Sequence, residues 1–193
     1  MTSASRTDEQ LVARMGRGDR AAAASLVMRH QRGLLNFFYR YTNDALLAED
    51  LAQETFLRMV RAAPSYEPRA AFGVWMYCIA RNLCFNEIKA RGLRRRPIER
   101  EAAVPGPEHE VSRAQLDARV RAAVRELPER QRLALVLRRF EGLSSSEVAE
   151  VMGTTVDAID ALMNRAAARL RSSLMDLLDD DEAGRCDERG RKP

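Results

Sequence analysis

The sequence predicts an all-α protein: two small helical domains joined by a flexible linker, the second containing a helix-turn-helix. Three observations lead there. Ala, Leu, Arg and Glu dominate and β-branched residues are few, a composition that favours helix. Apolar residues recur at helical spacing on both sides of a stretch, 97–112, that is punctuated by Pro97, Pro105, Gly106 and Pro107 and breaks the pattern. Caps and glycine stops fall where the helical runs begin and end. The domains are drawn at 8–96 and 113–178, with 97–112 as linker and 179–193 as a disordered polar tail.

Taken in order, Thr7 or Asp8 caps a first helix with Leu11, Val12 and Met15 apolar, stopped at Gly16 and Gly18. Asp19 starts a second, with Ala22, Ala23, Leu26 and Val27 inward, and a third run covers Gln31 to Tyr41. Asp44 caps an amphipathic helix. Its inner stripe is Leu47, Leu51, Phe56, Met59 and Val60, and its polar face holds Glu49, Asp50, Gln53, Glu54, Arg58 and Arg61. Pro64 and Pro68 bracket a loop around Tyr66 and Arg69. From about Ala71 a helix is apolar nearly all round, which suits the centre of a bundle.

Beyond the linker, Leu116, Val120 and Val124 give a helix that stops at Leu127–Pro128. Pro128 is placed as the first residue of the next helix, whose inward face is Leu133, Val136, Leu137 and Phe140 and whose left-handed stop is Gly142. Ser144 and Glu147 form a capping box, with Leu143 and Val148 as its staple. That short helix ends at Gly153. Thr154 or Thr155 caps the last one, with Val156, Ile159, Met163, Ala166 and Leu170 inward. Short helix, glycine turn and longer helix make a helix-turn-helix.

Composition narrows the function. A pI near 9.3 with a formal charge of only +4 permits nucleic-acid binding without demanding it. Cys78, Cys84 and Cys186 form no metal-binding spacing, and His30 and His109 are isolated. With no apolar leader and no run of transmembrane length, the chain reads as cytoplasmic, with Cys78 and Cys84 as core residues. Nothing in the sequence marks an enzyme: no phosphate loop, no metal spacing, no nucleophile–base pair, hence no catalytic residue, no cofactor and no small-molecule substrate.

The stretch Asp44–Ala62, read as D-x-x-x-A-E-D-L-x-Q-E-T-F-L-R, resembles the second conserved region of bacterial extracytoplasmic-function sigma factors. Trp75–Asn82, W-M-Y-x-I-A-R-N, is similar to the region that follows it there. Leu127–Arg132 and Glu141–Gly153 resemble the family's fourth region. The resemblance spans about Asp8 to Leu178 and implies an alternative sigma factor, whose partners would be core RNA polymerase, promoter DNA and an anti-sigma factor. It implies polymerase contact through Glu49, Asp50, Gln53 and Glu54, minus-10 recognition by the first domain, and minus-35 recognition by the last helix.

Several residues keep two readings. Trp75 is a stacking platform for DNA or a buried core residue, and its neighbours Phe72, Met76 and Ile79 favour the core. Asn82 is a satisfied core amide or, as the resemblance implies, a base reader beside the minus-10 pocket with Tyr66 and Arg69. Arg94, Arg95 and Arg96 are a solvated helix end or a phosphate contact, and three in a row favour phosphate. On the last helix Thr155, Asp160, Ala161, Asn164, Arg165 and Arg169 are placed toward DNA, with Arg138 available from the preceding helix. Asp160 stands where many family members carry a basic residue. A stand-alone helix-turn-helix regulator would explain 113–178 but leave 44–91 without a role. A helical adaptor would leave the arginine cluster unexplained. The Pro97–Ser112 linker is expected to let the two domains tumble semi-independently.

Overall fold

The computed structural model describes residues 6–68, 70–94 and 118–175, with side chains described to Glu87 in the helix that ends at Arg94. Every regular element among them is helical: α1 Asp8–Met15, α2 Arg20–Thr42, α3 Ala45–Ala62 with a short 3-10 turn Ala63–Ser65, and α4 Phe72–Arg94. Then come α5 over 118–125, α6 Glu129–Leu135 widening into a turn Val136–Phe140, α7 Ser145–Met152 and α8 Val156–Ser173. The all-α fold class is therefore met.

Local chemistry sets the ends. Thr7 caps α1 and closes a capping box with Gln10. Asp19 accepts from the amides of Ala21 and Ala22 and also takes Arg14, whose Nε lies 2.7 Å away; both bonds hold the Asp19 carboxyl below its ordinary range. Asp44 accepts from the Leu47 amide at 3.1 Å to start α3. Ser144 and Glu147 make the expected box on α7, and Gly153 ends it at φ 61°, a left-handed geometry that a β-carbon disfavours. Leu143 and Val148, the expected staple, are both buried. Gly16 is demanded by contact instead: a β-carbon there would sit 2.6 Å from the Ala63 carbonyl oxygen.

α1 to α4 pack around Val12, Leu26, Leu34, Phe37, Phe38, Met59 and Ala80. The N-terminus of α4 is held from far away in sequence, since the Phe72 amide donates to Glu9 Oε1 on α1. Asp8 ties α1 to α2 through Arg29 Nη1 at 2.6 Å and His30 Nε2 at 2.7 Å, so His30 is not isolated in space. α6, α7 and α8 form the second unit around Leu133, Leu137, Val148, Val151 and Ile159.

Five expectations are corrected. The runs beginning at Asp19 and Gln31 are one 23-residue helix, because Met28–Arg29–His30 offers no breaker and Gly33 is tolerated where it has open space. Val60 is 47% exposed, since the inner stripe of α3 is Ala48, Leu51, Ala52, Thr55 and Met59. Phe140 is 46% exposed: the turn bonds Glu141 N to Val136 O, five residues back, and that extra residue rotates the ring off the inward face. Pro128 is the cap of α6, and Val156, first in α8, is exposed. The two units also touch. α7 packs on α4, the widened turn packs on α2, and one apolar core runs through both. The linker and tail lie outside the described residues.

Candidate functional site

Three exposed surfaces hold the candidate residues. The first is the outer face of α3. Glu49, Asp50 and Gln53 are exposed and Glu54 is half-buried on the same side. Glu54 accepts from Arg58 Nε at 2.8 Å, and that bond holds its carboxyl below the ordinary range. Leu46, Leu57 and Val60 stand exposed on the same helix. The sequence placed Val60 inward and passed over Leu46 and Leu57, which could have been seen as apolar residues off the inner stripe. Acidic and apolar groups interleaved on one rigid helix suit a protein partner better than a polyanion.

The second surface surrounds α4. Asn82 is exposed, which removes the core-amide reading. Its Oδ1 accepts from Arg81 Nε at 3.2 Å and Nη2 at 2.6 Å. Trp75 is half-buried, its ring 4.7 Å from Tyr66 and 6.1 Å from Phe72. Tyr66 thus packs on Trp75 with its hydroxyl buried, and burial raises its pKa. Cys84 is buried and Cys78 half-buried, and desolvation pushes both thiols up, away from thiolate chemistry. Arg69, Arg95 and Arg96 lie outside the described residues, as does the side chain of Arg94.

The third surface is α8. Thr155 caps it, accepting from the Ala158 amide at 3.3 Å. Asp160, Ala161, Asn164, Arg165 and Arg169 are all exposed. Asp160 Oδ1 accepts from Ser145 Oγ at 3.2 Å, so the acid that looked misplaced beside DNA braces the last helix against the start of α7. Arg165 Nε donates to the Ala161 carbonyl at 3.0 Å. Arg138 Nη1 donates to the Leu143 carbonyl at 3.1 Å, closing the loop before α7.

Among the described residues no group of three or more His, Cys, Asp or Glu is placed to hold a metal ion, and no helix is long and apolar enough to cross a membrane. The three surfaces are suited to binding.

Comparison with known proteins gives two matches to family models: Sigma-70 region 2 over residues 26–94 and Sigma-70, region 4 over residues 117–170. The chain is similar to the RNA polymerase sigma-H factor of Pseudomonas aeruginosa, 35% identical over 186 residues, covering 89% of this chain and 95% of that one. It is also similar to the ECF RNA polymerase sigma-E factor of Haemophilus influenzae, 32% identical over 188 residues, with 89% and 97% covered. Among solved structures it resembles CnrH, in complex with the cytosolic domain of CnrY, with TM-score 0.69, 26% identity, and 88% and 97% of the chains covered. The sigma factor RpoE of Bartonella quintana, solved with the anti-sigma factor NepR, shares the fold at TM-score 0.66 and 23% identity, with 79% and 96% covered.

Proposed function

The chain belongs to the extracytoplasmic-function group of the sigma-70 family and is an alternative sigma factor that directs transcription initiation; from that premise we propose how its surfaces divide the work. Core RNA polymerase binds the outer face of α3 through Glu49, Asp50, Gln53 and Glu54, with Leu46, Leu57 and Val60 as the apolar part of the same contact. The observation that carries this is exposure: Glu49, Asp50 and Gln53 are exposed on α3, a different helix from those that carry Asn82 and the minus-35 candidates. Glu49 and Asp50 disfavour phosphate there, and with Leu46, Leu57 and Val60 exposed beside them the face suits a protein partner.

Domain 8–96 engages the minus-10 element. Asn82 offers an exposed amide that can pair with a base edge through donor and acceptor together. Arg69 lies in the loop before α4, and Tyr66 braces that loop through Trp75. Arg94, Arg95 and Arg96 follow as phosphate contacts, so their joint replacement by Ala weakens all promoters alike. Domain 113–178 engages the minus-35 element with α8 in the major groove. Thr155 sets its start, and Asn164, Arg165 and Arg169 are the readers and anchors. Asp160 braces the helix, and Arg138 closes the loop that presents α7. The protein acts in the cytoplasm without catalysis of its own. An anti-sigma factor is its regulator, in keeping with the complexes in which the CnrH and RpoE structures were solved.

The test is reconstitution. Added to core polymerase, the chain yields promoter-specific transcripts, and Asn82→Ala changes which minus-10 base is preferred. Tight duplex binding without polymerase, and no transcript with it, would turn the reading to a stand-alone regulator.

A further inference from the structure

Helix α1 has no role of its own in the division of labour above, yet it touches both ends of the loop that leads into α4. At one end Glu9 Oε1 accepts from the Phe72 amide at 3.2 Å. At the other, Gly16 lies so close to the 3-10 turn Ala63–Ser65 that a β-carbon would meet the Ala63 carbonyl oxygen at 2.6 Å and the carbonyl carbon at 2.9 Å. Gly16 has an ordinary helical backbone, φ -62° and ψ -20°, so contact and not conformation excludes a side chain there. Between the two ends the Tyr66 hydroxyl is buried without a hydrogen-bond partner from the protein, and the Glu9 charge adds to burial in raising its pKa.

The helix itself is anchored away from the loop. Asp8 takes Arg29 and His30 of α2 at 2.6 Å and 2.7 Å, and Arg14 Nε donates to Asp19 at 2.7 Å. Leu11, Val12 and Met15 are buried. The His30 ring also stands 4.8 Å from the Phe72 ring, so the first residue of α4 is gripped from α1 and from α2. Glu9 is half-buried, and its own amide and that of Phe72 hold its carboxyl below the ordinary range. At about 1.5 Å per residue, Glu9 and Gly16 are roughly 10 Å apart along α1. The chain from Ala63 to Phe72 could reach about 30 Å, so a base this short keeps the segment from extending. Tyr66 is seated on Trp75, with 4.7 Å between ring centroids.

We propose that α1 is the splint of the loop before α4: Glu9 and Gly16 are positioning residues that fix its two ends, and through them which minus-10 base the chain accepts. Neither needs to touch DNA. They act through Phe72 and Ala63 on the Tyr66–Trp75 pair. The consequence for base choice rests on the minus-10 reading above; the splint itself does not.

The test uses the full chain, alone and as holoenzyme. Trp75 is the one tryptophan of the sequence, so its emission reports on the loop without DNA. Glu9→Leu removes the acceptor, and Glu9→Gln keeps one. Gly16→Ala drives a methyl group into backbone, whereas Gly33→Ala on α2 adds the same group in open space and serves as the control. Glu9→Leu and Gly16→Ala should each shift Trp75 emission. Glu9→Leu should also speed exchange of the Phe72 amide about tenfold, the scale of one lost hydrogen bond. Both holoenzymes should lose discrimination among minus-10 bases a few-fold, while helix content, core-polymerase affinity and minus-35 preference stay as in the wild type. Glu9→Gln and Gly33→Ala should match the wild type in each readout. Should Gly16→Ala fail to fold, the Glu9 pair decides alone. Wild-type Trp75 emission in Glu9→Leu, or altered emission with minus-10 preference intact where Asn82→Ala changes it, would overturn the splint. If Asn82→Ala also leaves the preference unchanged, the minus-10 reading fails, while a shifted Trp75 emission still supports the splint.

Discussion

Helices α3 and α8 are each 18 residues long and amphipathic, yet they are held very differently. α3 buries Ala48, Leu51, Ala52, Thr55 and Met59 between α2 and α4, whereas α8 fully buries only Ile159 and Ala166. Even the Thr55 hydroxyl is absorbed, donating to the Leu51 carbonyl at 2.8 Å. The lesson concerns rigidity. A helix gripped along its length can present a precise charged face to a protein partner. A helix gripped at two points offers most of its circumference to a groove, and depends on caps and braces such as Thr155 and the Ser145–Asp160 bond to keep its angle.

The comparison is broken most severely by charge on α3. Asp50→Arg with Glu54→Arg should abolish holoenzyme formation while circular dichroism stays helical, because Asp50 is exposed and Glu54 is partly so, neither belonging to the buried stripe of α3. Unchanged core binding by the double variant would remove α3 as the polymerase face. Next in size, Ile159→Ala deletes the main anchor of α8 and should cost about 3 kcal/mol. Amide exchange should then rise across α6 to α8 and leave α1 to α4 protected; a uniform rise would mean that the two units unfold as one.

A smaller effect is expected at Asp160. Asp160→Lys exchanges a brace for a phosphate-seeking cation, so holoenzyme binding to promoter DNA should strengthen a few-fold with little change in minus-35 preference. A changed base preference in a selection over minus-35 variants would instead make Asp160 a base reader. The smallest effect is pH-dependent. Burial raises the Glu141 carboxyl above its ordinary 4.5, opposed by the Tyr77 hydrogen bond and by Arg40. The folded chain therefore binds that proton more tightly than the unfolded chain, so the stability this site contributes is fullest in acid and weakens as pH rises through the raised value. Tyr77, whose hydroxyl faces it, is itself pushed upward by burial and stays neutral over this range. Thermal unfolding between about pH 5 and about pH 8 should show a slight loss of stability in the wild type and none in Glu141→Gln.

Much of this was legible because local chemistry dictated it. The Ser144–Glu147 box, the Gly142 and Gly153 stops, the caps at Asp19 and Asp44, and the acidic face of α3 each depend on residues within one or two turns of each other, which the sequence displays side by side. Where the periodicity was misread, the cause was also local: one additional residue in the turn at 136–140 moved Phe140 outward. Sequence by itself thus determined the all-α class, the family and most of the helix ends. Only the tertiary structure decided that Glu9 caps α4, that Asp160 is a brace, that Asn82 is exposed, and that Tyr77 meets Glu141 where the two units touch. Those pairs are joined by the folding of distant segments, up to 64 residues apart for Tyr77 and Glu141, and an isolated side chain carries no mark of which remote partner will satisfy it.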